Sequence, residues 1–279
     1  MRNLLWAFCL LGTLNLSAQS FEVGLTGGLA VYNGEFIPRD FNGYLQMTHP
    51  AVGAFARLNV VQAFSFRLGF IQTQVSGDDE ISIYPSRNLS FRSNISELHL
   101  VGEWRPFRWQ GRGSNVAVSP YLFGGIQAYR FNPQTKVEGN WVDLQPLGTE
   151  GQGLPGYEEK YDLIQYAVPV GLGFQFDIDE KWSFGVEFGG RKLFTDYLDD
   201  VGGTLVVYDD ILKGNGTLAA QLSNPNIDVD GSDAMISYRR GGFAEDWYYV
   251  GNVSLAYKLG SGKGTRRRGK AGTMKCPQF

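Results

Sequence analysis

Residues Leu163–Lys192 read LIQYAVPVGLGFQFDIDEKWSFGVEFGGRK, two alternating arms around a short polar turn. In the first arm Tyr166, Val168, Val170, Leu172, Phe174 and Phe176 share one face, and Gln165, Ala167, Pro169, Gly171, Gly173 and Gln175 share the other. The second arm sets Trp182, Phe184, Val186 and Phe188 against Ser183, Gly185, Glu187, Gly189 and Arg191. Side chains alternate across a strand with period two, so the segment predicts a β-hairpin with its turn at Asp177–Lys181. The two faces differ in size as well as polarity. A soluble sheet buries its bulk and wets its charges, whereas a membrane barrel gives bulk to lipid and keeps a narrow polar interior. Uniform bulk opposite glycine, Gln, Glu and Arg leans to the second pattern, but this segment alone also fits a half-buried soluble sheet.

The rest of the chain bears on that choice. Residues 1–18 carry Arg2, the apolar run Leu4–Leu11 and a small-residue end at Ser17-Ala18, the pattern of a secretory signal. Cys9 lies inside the apolar run rather than at its end, which argues against a lipoprotein anchor; with Cys276 as the remaining cysteine, no internal disulfide is expected after processing. The 37 glycines and 14% aromatic residues, with 2 histidines, are a β-rich composition. No later run approaches the roughly 18 apolar residues of a spanning helix. Barrel strands spend only alternate residues on lipid, so this absence is compatible with a membrane barrel.

Six further segments alternate in the same way: Phe21–Tyr32, Ala51–Val61, Phe64–Val75, Asn94–Arg105, Val118–Phe131 and Trp247–Leu259, giving eight strands with the two arms above. Short turns at Gln62-Ala63 and Pro106–Asn115 join two pairs. Asn33–Pro50, Gly77–Phe91, Asn132–Lys160 and Phe194–Asp246 are long, polar and rich in turn residues. Within the last of these, Thr204–Leu222 is expected to form a short helix or an extra strand pair. Long and short connections alternate, so the expected fold is all-β: an eight-stranded antiparallel transmembrane β-barrel with long extracellular loops and short periplasmic turns, residues 19–259, in a Gram-negative outer membrane. Closure removes the sheet edges. Trp104, Tyr121, Tyr129, Trp182, Trp247, Tyr249 and Tyr257 are expected in interfacial girdles. A soluble lipocalin-like barrel would instead require bulky side chains pointing inward.

Five motifs then carry a resemblance: Arg87–Leu98 (RNLSFRSNISEL), Ser119–Pro133 (SPYLFGGIQAYRFNP), Leu144–Gly153 (LQPLGTEGQG), Phe194–Gly203 (FTDYLDDVGG) and Asp246–Lys258 (DWYYVGNVSLAYK). In this order they resemble the PorG family, outer-membrane barrel components of the type IX protein secretion system, over about Phe21–Leu259. The resemblance implies a noncatalytic outer-membrane component associated with the periplasmic ring of PorK and PorN. The family contains paralogues whose roles differ. A small passive porin or solute-binding barrel is the alternative.

The histidines, His49 in the first long loop and His99 in strand four, lie far apart in the sequence; interior ion pairing is the expected reading for the inward charges, with a proton relay or a protease dyad as the alternative. His99 is expected inside with Glu97, Glu103 and Arg105, facing Arg57, Arg67, Glu187 and Arg191 as ion pairs that fill a narrow lumen. Asn226, Asp228 and Asp230, before Gly231, match the front of a calcium loop, but Ser237 stands where the bidentate glutamate belongs. This is a weak metal candidate beside the plainer reading of a solvated acidic loop, and no cofactor is expected. The carboxylates of Thr195–Asp200 (TDYLDD) are read as loop braces, with a cation or a neighbouring Arg as alternatives. Gly148–Gly153 lacks the Lys-Ser/Thr and strand-to-helix setting of a phosphate loop.

Residues 260–279 carry six basic and no acidic side chains over Lys263–Lys275. They are expected to form a disordered periplasmic tail. Arg266, Arg267, Arg268 and Lys270 are candidates for docking an acidic partner surface; a solvated tail without a partner is the other reading. The body that precedes the tail is distinctly acidic, and no nucleic-acid partner is expected.

Overall fold

A computed structural model describes residues 20–227, 236–242 and 246–259. The signal-sequence, basic-tail, Asp228, Asp230 and Cys276 readings lie outside these residues. Eight long antiparallel strands form the body: β1 (Ser20–Asn33), β2 (Thr48–Val61), β3 (Phe64–Asp78), β4 (Ser90–Trp104), β5 (Ala117–Arg130), β6 (Ile164–Asp177), β7 (Trp182–Leu193) and β8 (Trp247–Leu259). Each pairs with its chain neighbour, and β1 pairs with β8 from Phe21↔Leu259 to Asn33↔Trp247, so the sheet closes. Closure leaves these strands without an exposed edge.

Several strands run further toward the long-loop end than the alternation alone indicates. β2 begins at Thr48 and so contains His49, β3 reaches Asp78, and β4 begins at Ser90. Pairing of Asp78 with Ser90 continues the ladder through residues whose polarity marks them as loop. The Pro106–Asn115 turn carries a two-residue extension, Trp109–Gln110, paired with Val118 and Ala117.

The wall is apolar outside and polar within. Leu25, Leu29, Phe70, Leu98, Leu122, Ile126, Leu172, Val186, Phe188, Val253 and Leu255 are exposed, at 42–70% of their surface. Glu22, Arg57, Arg67, Glu97, Glu103, Glu187 and Arg191 are buried. Bulk outside and charge inside is the inverse of a soluble barrel and the arrangement of an outer-membrane β-barrel. Among the described residues no helix is long and apolar enough to cross a membrane; crossing is done by strands. Trp182 packs edge-on against Tyr257 at the short-turn end, and Phe188, Tyr249 and Trp247 stack toward the loop end, as interfacial aromatics do. Tyr121 and Tyr129 do not belong to these girdles. Both are buried inward, Tyr121 donating to Glu187 Oε2 at 3.0 Å, because β5 places its odd-numbered residues in the lumen.

The lumen is filled in two layers. Toward the short turns, four carboxylates, Glu22, Glu97, Glu103 and Glu187, meet four guanidinium groups, Arg57, Arg67, Arg105 and Arg191. Toward the loops, Tyr32, Phe36, Val75, Phe91, Ile95, Tyr129, Phe131, Leu193 and Leu198 form an apolar plug. About eight strands leave an interior just wide enough for such side chains. Purified protein in planar bilayers is therefore expected to give no stable conductance steps; reproducible ion-sized openings would contradict the filled lumen.

The long connections build a cap. The first holds α1 (Phe41–Gln46), whose N-cap Asp40 accepts from the Gly43 amide at 2.8 Å. The third adds a hairpin, Pro133–Val137 with Asn140–Asp143. The fourth contains both structures expected as alternatives: Leu205–Val207 pairs with Ser237–Arg239, and α2 (Tyr208–Gly214) and α3 (Thr217–Ser223) follow the first of these strands. Val206, Tyr208, Ile211, Ala219 and Ala220 give this loop a buried core of its own.

Candidate functional site

The inner charge layer centres on Glu103. Its carboxylate lies 2.9 Å from Arg57 Nε and 2.8 Å from Arg67 Nε, and accepts from Arg105 Nη2 at 2.6 Å and Ser65 Oγ at 2.8 Å. Arg57 also reaches Glu22 at 3.0 Å, and Arg67 reaches Glu187 at 2.6 Å. In the same layer, Glu97 receives Arg191 at 3.2 Å and the Tyr248 hydroxyl at 2.5 Å, and contacts His99 Nδ1 at 3.0 Å. The His99 ring occupies the space left by Gly69 on the neighbouring strand. These are the inward charges expected from the alternation. Each of these carboxylates and guanidinium groups faces an opposite charge, and together they fill a narrow lumen. His49 contacts Ser76 Oγ at 2.7 Å, away from His99, so the two histidines are not brought together.

A second polar centre lies at the extracellular mouth. The Tyr32 hydroxyl at the end of β1 sits 2.6 Å from Asp199 Oδ2 and 2.6 Å from Asp246 Oδ1, with Glu35 Oε2 at 3.3 Å. Gly34 makes this approach possible, since a Cβ there would land on the Tyr32 hydroxyl and the Asp246 carboxylate. Asp246 also accepts the Leu198 amide at 3.0 Å, and Asp199 accepts the Val201 amide at 2.8 Å. A phenol has one proton to give, so its two short contacts require a proton on one of the carboxyls as well. Burial raises Asp199 and Asp246 well above the carboxylate range; Glu35 adds to the rise at Asp199, and Asp199 and Glu35 add to it at Asp246. Burial, with Asp196 nearby, raises Glu35 to about 7.

The sign of the resulting pH dependence follows. A carboxyl whose folded value exceeds its unfolded one holds its proton more tightly when folded, so its contribution is fully present below the ordinary value of 4.5 and is lost as pH rises through about 7. In chelator-containing buffer the cap is expected to resist heat better at pH 5 than at pH 8, read from the melting of the protein in micelles. The opposite order would mean that these carboxyls ionise in the cap without cost.

Beside this cluster, Arg87 is held by both oxygens of Asp79 at 2.8 Å, donates to the Arg240 carbonyl at 2.8 Å, and lies over the Phe36 ring at 4.5 Å. Asp200 takes Arg240 at 3.2 Å, Thr149 Oγ1 at 2.5 Å and the Tyr161 hydroxyl at 2.6 Å. Within TDYLDD, then, Asp200 meets a neighbouring Arg and Asp199 braces the loop through the Val201 amide. Glu150 accepts the Gly202 amide at 3.0 Å, and burial raises it well above the carboxylate range. An open cavity of about 280 Å³ adjoins these groups, lined by Phe36, Asn88, Leu89, Asp199, Val201 and Arg240 among others.

Of the calcium-loop candidates, Asn226 donates to the Ser86 carbonyl at 2.7 Å, while Asp228 and Asp230 lie outside the described residues. Arg266, Arg267, Arg268 and Lys270 lie outside them too. The acid cluster at Tyr32, Glu35, Asp196 and Asp246 does not stand out in the sequence as one site. Its partners are up to 214 positions apart, and the available signal is Asp246 standing directly before the aromatic start of a strand.

No curated protein matches the chain. Among solved structures, Neisserial surface protein A has a TM-score of 0.42 at 8% identity, over 87% of this chain and 99% of that one. The N-terminal β-barrel domain of Pseudomonas aeruginosa OprF has a TM-score of 0.36 at 8% identity, over 86% and 97%. A major outer membrane protein from Thermus thermophilus has 0.37 at 13% identity, over 87% and 100%. Residues 1–217 match the model described as a domain of unknown function, DUF6089, and the chain belongs to that family.

Proposed function

We propose that this outer-membrane barrel is a noncatalytic component of the type IX secretion machinery, of the PorG kind, serving as an anchor or docking surface for the periplasmic PorK/PorN ring. The observation that carries the reading is the set of five sequence motifs, in consistent order, that resemble that family. Their residues also bond to one another across the cap: Thr149 with Asp200, Glu150 with Gly202, and Asp246 with Leu198. Such contacts give the motifs a common structural purpose. The filled lumen favours a scaffold over the alternative of a passive porin.

Affinity purification of the full chain in mild detergent tests the proposal, with recovery of a periplasmic ring protein and its lipoprotein as the expected result. A preparation free of both, from cells that make them, would refute it. Deleting Gly260–Phe279 is expected to leave an inserted barrel, since β8 ends at Leu259. If the truncated chain binds the ring as well as the full chain across a salt series, the tail plays no part in docking.

A further inference from the structure

We propose that Glu35, Asp196 and Asp246 bind a divalent cation of the calcium class at the extracellular mouth of the barrel. Each contributes one carboxylate oxygen to a group in which all three oxygens lie within 4.8 Å of one another. Oxygens that share one calcium ion at about 2.3–2.6 Å can be no more than about 5 Å apart, so the spacing is that of a single coordination shell. The donors are all carboxylates, without His or Cys, which selects a hard cation over zinc or copper.

A second observation separates this group from an ordinary acidic cluster. Glu35 is 7% exposed, and its Oε1 is buried and accepts no hydrogen bond. The buried carboxylates of Glu103 and Asp79 are well supplied by contrast: Glu103 has three guanidinium groups and a hydroxyl, and Asp79 has Arg87, the Ser82 hydroxyl and the Leu89 amide. Glu150 Oε2 is buried without a donor too, but Glu150 is not one of the three acids whose oxygens converge. Burying an acceptor oxygen without a donor is costly, and a metal ion satisfies it. Arg87, the guanidinium whose charge reaches Glu35, is committed to Asp79 and to the carbonyls of Arg240 and Glu35. Asp196 is only half-buried, which gives an ion a way in from outside.

The position gives the ion a purpose. Asp196 and Asp246 stand at the two ends of the longest loop, and Glu35 begins the first loop beside them. A cation held by all three clasps the cap to the β1–β8 seam. These ligands are other residues than Asn226, Asp228 and Asp230, and the proposal does not depend on any role in secretion.

The test uses calcium chloride alone, titrated by calorimetry into the full chain folded in micelles after chelator treatment and removal. One saturable event is expected, in the range of about 10⁻⁴ M typical of extracellular modules, and at least tenfold weaker in Asp196→Asn and in Glu35→Gln. Asp228→Asn combined with Asp230→Asn should leave it unchanged. Heat-modifiable migration on gels reports folding of each variant. Asp196, being half-buried, keeps the test open if Glu35→Gln fails to fold. Absence of saturable binding to the unaltered chain would overturn the proposal. So would equal affinity in a folded Asp196→Asn variant, or loss of binding only in the Asp228/Asp230 variant.

Discussion

Val186→Asp and Phe184→Asp are expected to abolish membrane insertion, leaving chains that do not show the heat-modifiable migration of a folded barrel. Val186 stands opposite Val253 on β8 and Phe174 on β6, and all three are exposed on the outer wall. Phe184 is opposite Leu255 and Phe176 in the same band. A cation at mid-membrane on such a wall costs about 2–4 kcal/mol, and a carboxylate somewhat less, and the charge must also be carried through assembly. Gln175→Asp is the matched control. Its side chain is buried on the inner face and donates to Asp177, which Lys258 contacts at 2.7 Å and Arg108 at 3.0 Å, so a new charge there meets polar groups. Insertion of all three variants with equal yield would show that the faces are reversed.

Glu103→Leu is the second large effect, expected from inside the barrel. Removing this carboxylate leaves Glu22, in contact with Arg57, and Glu187, in contact with Arg67, as the acids paired with these guanidinium groups. Arg57 keeps Glu22 and Arg67 keeps Glu187, so Arg105 is the group left with a neutral partner alone, Asn59 Oδ1 at 2.8 Å. A buried charge that loses its counter-ion costs about 3–5 kcal/mol, while replacing the whole pair by apolar side chains is often close to neutral. Glu103→Leu is therefore expected to lower the urea midpoint strongly, and Glu103→Leu with Arg105→Leu to recover much of that loss. A double variant no more stable than the single one would show that Glu103 acts through packing rather than through charge balance.

Both experiments rest on a feature that is local in the chain. Strand alternation needs only the nearest two neighbours, so the eight strands, their faces and the inward charges at Glu97, Glu103, Glu187 and Arg191 are legible from residue order. The same holds for the alternation of long and short connections. Strand ends are less legible, because Ser90, Arg92, Ser93, Ser76 and Asp78 are polar residues kept in the ladder by cross-strand pairing.

Partnership across the barrel is not legible at all. Alternation says that Arg67 points inward, but only the register of eight strands places it between Glu103 and Glu187, 120 positions away in the second case. Tyr121 and Tyr129 have the residue type of a lipid-facing girdle and are lumen residues because the phase of β5 turns them inward. The cluster at the mouth is the clearest case. Tyr32 and Glu35 lie near one end of the barrel sequence and Asp246 near the other, with Asp199 between, and closure of β1 on β8 brings the outermost of them to 2.6 Å. The sequence by itself determined which face of each strand meets lipid, since that is a property of every second residue. Which buried charges meet one another was decided by the tertiary structure, since it depends on the closed sheet as a whole.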